Sequence, residues 1–167
     1  MHVNSGLIRS LFLALSCAVL DASVATAAIT SSQAGWQDLG QGVVLQTGTG
    51  LRWTKNDNGH DIDWPDAKSW CAKLGEGWRL PMVDELDGMV AAADMAGQHA
   101  PCGKAVCVAP PQFQLSAAWH WSDTPLTKAQ AKDADELAWG VTMVNGHKTM
   151  GLRMAAYGAR ALCVRSR

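Results

Sequence analysis

A chain of 167 residues with 48% hydrophobic residues, 17% charged residues and a formal charge of −1 is globular and is neither a disordered polymer nor a polycation. With a pI near 6.5, a general nucleic-acid binder is excluded, and no cofactor is called for by any motif.

The first 27 residues have the layout of a secretory signal peptide. Arg9 precedes the apolar run LFLALSCAVL, and the small residues ASVATAA follow. That run is too short to span a membrane. Ala25-Thr26-Ala27 is an A-x-A site, so cleavage is expected after Ala27, with release into the periplasm or the medium. Lipidation at Cys17 in ALSC is the alternative, and the only route by which this chain would be membrane-bound. Residues 28–49 then read as a polar, glycine-rich lead-in with a first strand, and residues 50–167 as one domain.

VVLQT and LRWT read as short strands joined by GTG, with the turn formers KNDNGHDID after them. A first helix is predicted from an Asp63 N-cap, with Pro65 tolerated in its first turn. Ala67, Trp70, Cys71 and Leu74 fall on one face, and Gly75 is the expected stop. GEGWRLPMVDEL makes the next corner, with Trp78 and Leu80 as core anchors and Arg79 placed to pair with Asp84 or Glu85. A second helix follows Pro81 with the stripe Val83, Leu86, Met89, Val90, Ala93. GQHAPCGKAVCVAPPQF is expected as a long loop and AAWHWS as a strand, before the polar segment DTPLTKAQAKDADE. In AWGVTMVNGHKTMGLRM, Asn145-Gly146 suits a two-residue turn, setting Met143 opposite Lys148 and Trp139 opposite Leu152. ARALCVR closes the chain as a strand covered on both sides.

Four cysteines remain after Ala27: Cys71, Cys102, Cys107 and Cys163. An even number behind an export signal reads as two disulfides, for which three pairings exist. Cys102 and Cys107 bracket a four-residue loop they are able to close, which would leave Cys71 for Cys163. A zinc site on Cys-x4-Cys with distant partners is the weaker alternative. Early helices and late short strands give an α+β fold class.

The ordered set GLRWTKNDNGHDIDWPDAKSWCAKLGEGWRLPMVDEL, WHWSDT, AWGVTMVNG and RALCVR resembles the Lcl C-terminal domain family from about Gly50 to Arg165. The resemblance implies a C-type lectin-like fold: two helices, a small antiparallel sheet, a long loop region, and a disulfide from first helix to last strand, here Cys71 with Cys163. The family's namesake is the adhesive end of a collagen-like bacterial surface protein that binds sulfated polysaccharides. Met82 departs from the family pattern, which often has a capping Thr after WRLP. The calcium-site motifs of the wider fold are absent, and WSD at Trp121–Asp123 is a partial echo, so no metal is expected.

The carboxylates open to acid–base work are Asp84 with Glu85, which suit a helix N-terminus, and Asp133, Asp135 and Glu136 in a polar segment. His60, His99, His120 and His147 stand in no metal-ligand or triad spacing, so no catalytic residue is assigned and an enzyme is not expected. Charge is uneven: from Leu137 onward Lys148, Arg153, Arg160, Arg165 and Arg167 occur without an acid. Either they pair with acids of the helices and loops, or they form a patch for an anionic polymer. Trp119 and Trp121 point to one side of a strand, either into the core or outward as a sugar-stacking pair. The expected reading is an exported module binding an anionic polysaccharide or envelope protein through His147, Lys148, Arg153, Arg160 and Trp121. A periplasmic immunity, inhibitor or assembly factor is the alternative.

Overall fold

The computed structural model describes residues 35–166; the expectations about the signal peptide, its cleavage and Cys17 lie outside them. In chain order the elements are β1 (Trp36–Gly40), β2 (Val43–Gln46), β3 (Arg52–Thr54), α1 (Trp64–Ala72), α2 (Val83–Met95), β4 (Ala100–Cys102) and β5 (Ala105–Cys107). Then follow β6 (Trp119–Trp121), β7 (Leu137–Thr142), β8 (His147–Leu152), β9 (Ala159–Arg160) and β10 (Val164–Arg165). They make an α+β fold with one sheet in the order β1-β2-β3-β10, a second in the order β8-β7-β6-β9, and a hairpin β4-β5.

The glycine-rich lead-in supplies β1, a strand that composition conceals. Trp36 anchors it, meeting Phe113 edge-on at 5.4 Å and Trp53 at 6.3 Å, all three buried. The long loop is likewise stiffer than expected: β4 and β5 pair inside it, closed by Cys102–Cys107. The second bridge joins Cys71 of α1 to Cys163.

Helix α1 begins as its sequence dictates, with the Asp63 carboxylate accepting from the Asp66 amide at 2.9 Å. It ends at Ala72, so Leu74 falls outside the helix and is exposed. Helix α2 buries Val83, Leu86, Met89, Val90 and Ala93, the stripe its period prescribes. Its N-terminus shows how the fold compensates for Met82, which has no side-chain oxygen. Thr124 Oγ1, 41 residues away, accepts the Val83 amide at 2.7 Å, and Glu85 reaches back to the Met82 amide at 2.7 Å. Arg79 clamps the same Glu85 through two 2.8 Å bonds, while Asp84 turns to Lys148. Thr124→Val should therefore cost about 1 kcal/mol, as loss of a helix cap does. The check is the urea midpoint; an unchanged midpoint would show that water replaces the hydroxyl.

The β7–β8 register is shifted by two residues from the expected one. Thr142 pairs with His147, Val141 with Lys148 and Trp139 with Met150, leaving a four-residue connection in which Gly146 has φ +72°. The cause is Met143. It is fully buried, its amide donates to the Ala118 carbonyl, and its own carbonyl accepts the Val108 amide, so it has no backbone group left for Lys148. The closing strand is also split. β9 runs parallel to β6 and β10 pairs antiparallel with β3, with Ala161–Val164 buried between the two sheets. The Trp119 and Trp121 rings, 4.4 Å apart, lie against β7 and β8, where a Cβ on Gly140 would sit 2.2 Å from Trp119 and one on Gly151 2.9 Å from Trp121. Glycine at both positions is what admits the two indoles.

Candidate functional site

The basic residues expected to form one patch are held in separate places. Lys148 is neutralised by Asp84 at 2.9 Å and Asp87 at 3.0 Å, which raise its pKa. Arg160 is largely enclosed; it pairs with Asp61 and donates to Ser116 Oγ at 2.7 Å. Arg153 donates to the carbonyls of Leu137 at 2.7 Å and Ala134 at 3.3 Å and lies 4.6 Å from the Trp64 ring. His147 is exposed at the start of β8, next to Asn145 of the β7–β8 connection. Trp121 is 1% exposed, with its indole donating to the Ile62 carbonyl at 2.8 Å, so it reaches the smaller of two clefts beside β8 only as part of its floor. Two of these cations thus pair with acids, Lys148 with those of α2 and Arg160 with Asp61 of the 57–61 turn, while Arg153 is held by backbone carbonyls.

Two other features emerge. One is a buried polar network that unites residues far apart in sequence. The Asp57 carboxylate accepts from the Gly59 amide at 2.9 Å, from the Ser116 amide and hydroxyl at 2.7 Å each, and faces His120 Nε2 at 3.3 Å. Burial pushes the Asp57 pKa up, but the hydrogen bonds from His120 and Ser116 outweigh it and hold the group at about 2. A serine, a histidine and an aspartate therefore meet, but not as a nucleophilic triad. Ser116 Oγ gives its proton to Asp57 rather than to His120, and the His120 side chain is fully buried. The network locks the 57–61 turn, β6 and β9 together. Asn58 adds to this lock, its side-chain oxygen accepting the Ala161 amide at 2.8 Å. The sequence offered the turn formers but no sign that Asp57 points inward.

The other feature is a pair of adjoining open clefts beside β8. One, of about 490 Å³, is lined by Trp64, Pro65, Asp135, Glu136 and residues 152–155. The second, of about 260 Å³, runs past Trp119, Thr149, Met150 and Tyr157, and shares Leu152 and Ala155 with the first. Their rims carry the most exposed apolar side chains of this region: Leu152 at 57%, Met154 at 77% and Tyr157 at 93%. β8 is also an edge strand, hydrogen-bonded to β7 alone. Its alternation of apolar and polar residues gave no hint of this exposure.

The family model of the Lcl C-terminal domain matches residues 42–165. The chain belongs to that family. The match runs from β2 to β10 and so takes in both helices, both disulfides and both clefts. No curated protein matches this Lcl C-terminal domain chain. Its two disulfides suit an oxidising compartment. No helix among the described residues is long and apolar enough to cross a membrane, and no group of three or more His, Cys, Asp or Glu side chains among them is arranged to hold a metal ion.

Proposed function

We propose that this Lcl C-terminal domain is an exported, non-catalytic binding module of C-type lectin-like fold that takes an anionic glycan or another envelope component. The observation that carries the reading is the contiguous aromatic and apolar rim of Leu152, Met154 and Tyr157 over the two clefts. Sugar rings present C–H faces that pack against such surfaces. Asp135 and Glu136 line one cleft, while Arg153 is the cation there, so the ring-binding wall and any strong anion contact are separate matters.

The test is glycan-array binding of the secreted domain with and without chelator, repeated with Tyr157→Ala/Met154→Ser. Both positions are exposed, so the variant should fold. Binding that falls at least tenfold in the variant and ignores chelator is expected. Absence of any glycan binding at low salt, or binding equal in the variant, overturns the reading.

A protein partner is the second reading, and the free edge of β8 beside Met150 and Leu152 favours it. One stoichiometric, salt-resistant partner recovered from envelope extract, and lost with the same variant, would favour this role over glycan binding.

A further inference from the structure

The sheet β1-β2-β3-β10 places two arginines directly opposite each other. Arg52 of β3 pairs with Arg165 of β10, one register step from the buried pair Trp53 and Val164. Because side chains alternate along strands, Trp53 and Val164 face the core and the two arginines share the outer face. Like charges in this position repel, and sequences ordinarily supply an acid to relieve them. Here none does. Among the described residues neither Arg52 nor Arg165 has a carboxylate within ion-pair distance or any side-chain hydrogen bond. The Nε atoms of both are enclosed and without a partner, although guanidinium donors are costly to bury unpaired.

The surroundings are built to hold these groups in place. Trp78 lies 5.0 Å from the Arg165 guanidinium and fixes its plane. Gly77, at φ +78°, lets the corner pass beside Arg165. One depression of about 400 Å³ is lined by Glu76, Gly77, Arg79, Arg165 and Ser166. A second, of about 360 Å³, is lined by residues 47–51 and Ser166, and Thr47 and Thr49 contribute to its wall. They meet at Ser166, and Arg52 follows directly on Leu51 in the chain. Glu76 is the one acid of the lining, and Arg79 is already committed to Glu85.

We propose that Arg52 and Arg165 form a binding site for a tetrahedral oxyanion, a phosphate or sulfate group. Paired guanidinium groups present parallel N–H donors that match such an anion, and one anion between them removes their mutual repulsion. The site lies on a different sheet from the clefts beside β8 and does not depend on what they bind.

The experiment is an NMR titration of the secreted domain with sodium phosphate and sodium sulfate, with ionic strength held constant by chloride. The Arg52 and Arg165 Nε–H signals and the Trp78 indole signal should shift saturably with either oxyanion and not with chloride. Arg52→Gln/Arg165→Gln should weaken that response at least tenfold. Since it removes opposed like charges, the variant should melt no lower than the wild type without oxyanion, which guards against a folding artefact. Arg165→Lys, which keeps the charge but not the fork, should retain part of the response. Equal shifts with chloride, or a variant that responds like the wild type, overturn the proposal. Glucose 6-sulfate, glucose 6-phosphate and phosphatidylglycerol vesicles then identify the carrier. Tighter binding of one than of the free ions names it, and no gain from any assigns the site to the free oxyanion. Tyr157→Ala should leave all of these responses intact, so failure of the cleft reading and failure of this one are told apart.

Discussion

Replacing Cys71 and Cys163 together by alanine should cost about 4–5 kcal/mol, because the bond closes a loop with a sequence separation of 92. For a domain of this size that lowers Tm by about 10–20 °C. The same change at Cys102 and Cys107, whose separation is 5, should cost about 2 kcal/mol on the same reasoning. The longer bridge matters for a second reason. Helix α1 has nine residues and is too short to be stable alone. Ala67 and Cys71 are its buried residues, with Trp64 and Trp70 partly buried beside them, so the bridge is its principal tie to Ala161–Cys163. In the double variant, amide exchange should therefore quicken first over 64–72 and only later in α2. Calorimetry of both variants under non-reducing conditions checks the order. Equal losses from the two bridges would show that loop entropy is not what the long one supplies.

What the sequence made legible follows a physical pattern. The α2 stripe was readable because its burial depends on a local period, and Arg79–Glu85 because the two lie within one corner. The cysteine pairing was readable because few alternatives exist. The hairpin register was not, since Met143 is claimed by Ala118 and Val108, and nothing near Asn145-Gly146 reports on them. Thr124 as the cap of α2 is hidden for the same reason: its amide partner lies 41 residues away. The charge run after Leu137 was visible as composition, but whether each cation is free depends on acids contributed by distant segments. Lys148 meets α2 and Arg160 meets Asp61, whereas Arg165 meets another arginine. Trp121, whose spacing favoured the core without excluding the surface, is accommodated by Gly151, where a Cβ would sit 2.9 Å from its ring.

The polar network around Asp57 should dominate the acid stability of the domain. Asp57→Ala leaves the Ser116 amide, the Gly59 amide and His120 Nε2 without their acceptor in a buried place, and should cost about 3–5 kcal/mol. The ionised form of Asp57 is favoured by folding, its pKa falling from 3.8 to about 2. Its contribution is therefore complete above pH 3.8 and is lost as pH falls from there towards 2, amounting to about 2 kcal/mol. Asp57→Asn keeps the shape and one carbonyl acceptor but does not ionise. It should be less stable than the wild type at pH 7 and should lose less stability between pH 4 and 2, so the two curves converge in acid. Urea denaturation at fixed ionic strength across that range tests this. Parallel acid limbs in the two proteins would mean that other carboxylates, such as Glu85 or Asp38, whose pKa values are also lowered, carry the acid sensitivity instead. Convergence would assign the acid sensitivity to the Ser116–Asp57–His120 cluster, which ties the 57–61 turn to β6 and, through Arg160, to β9.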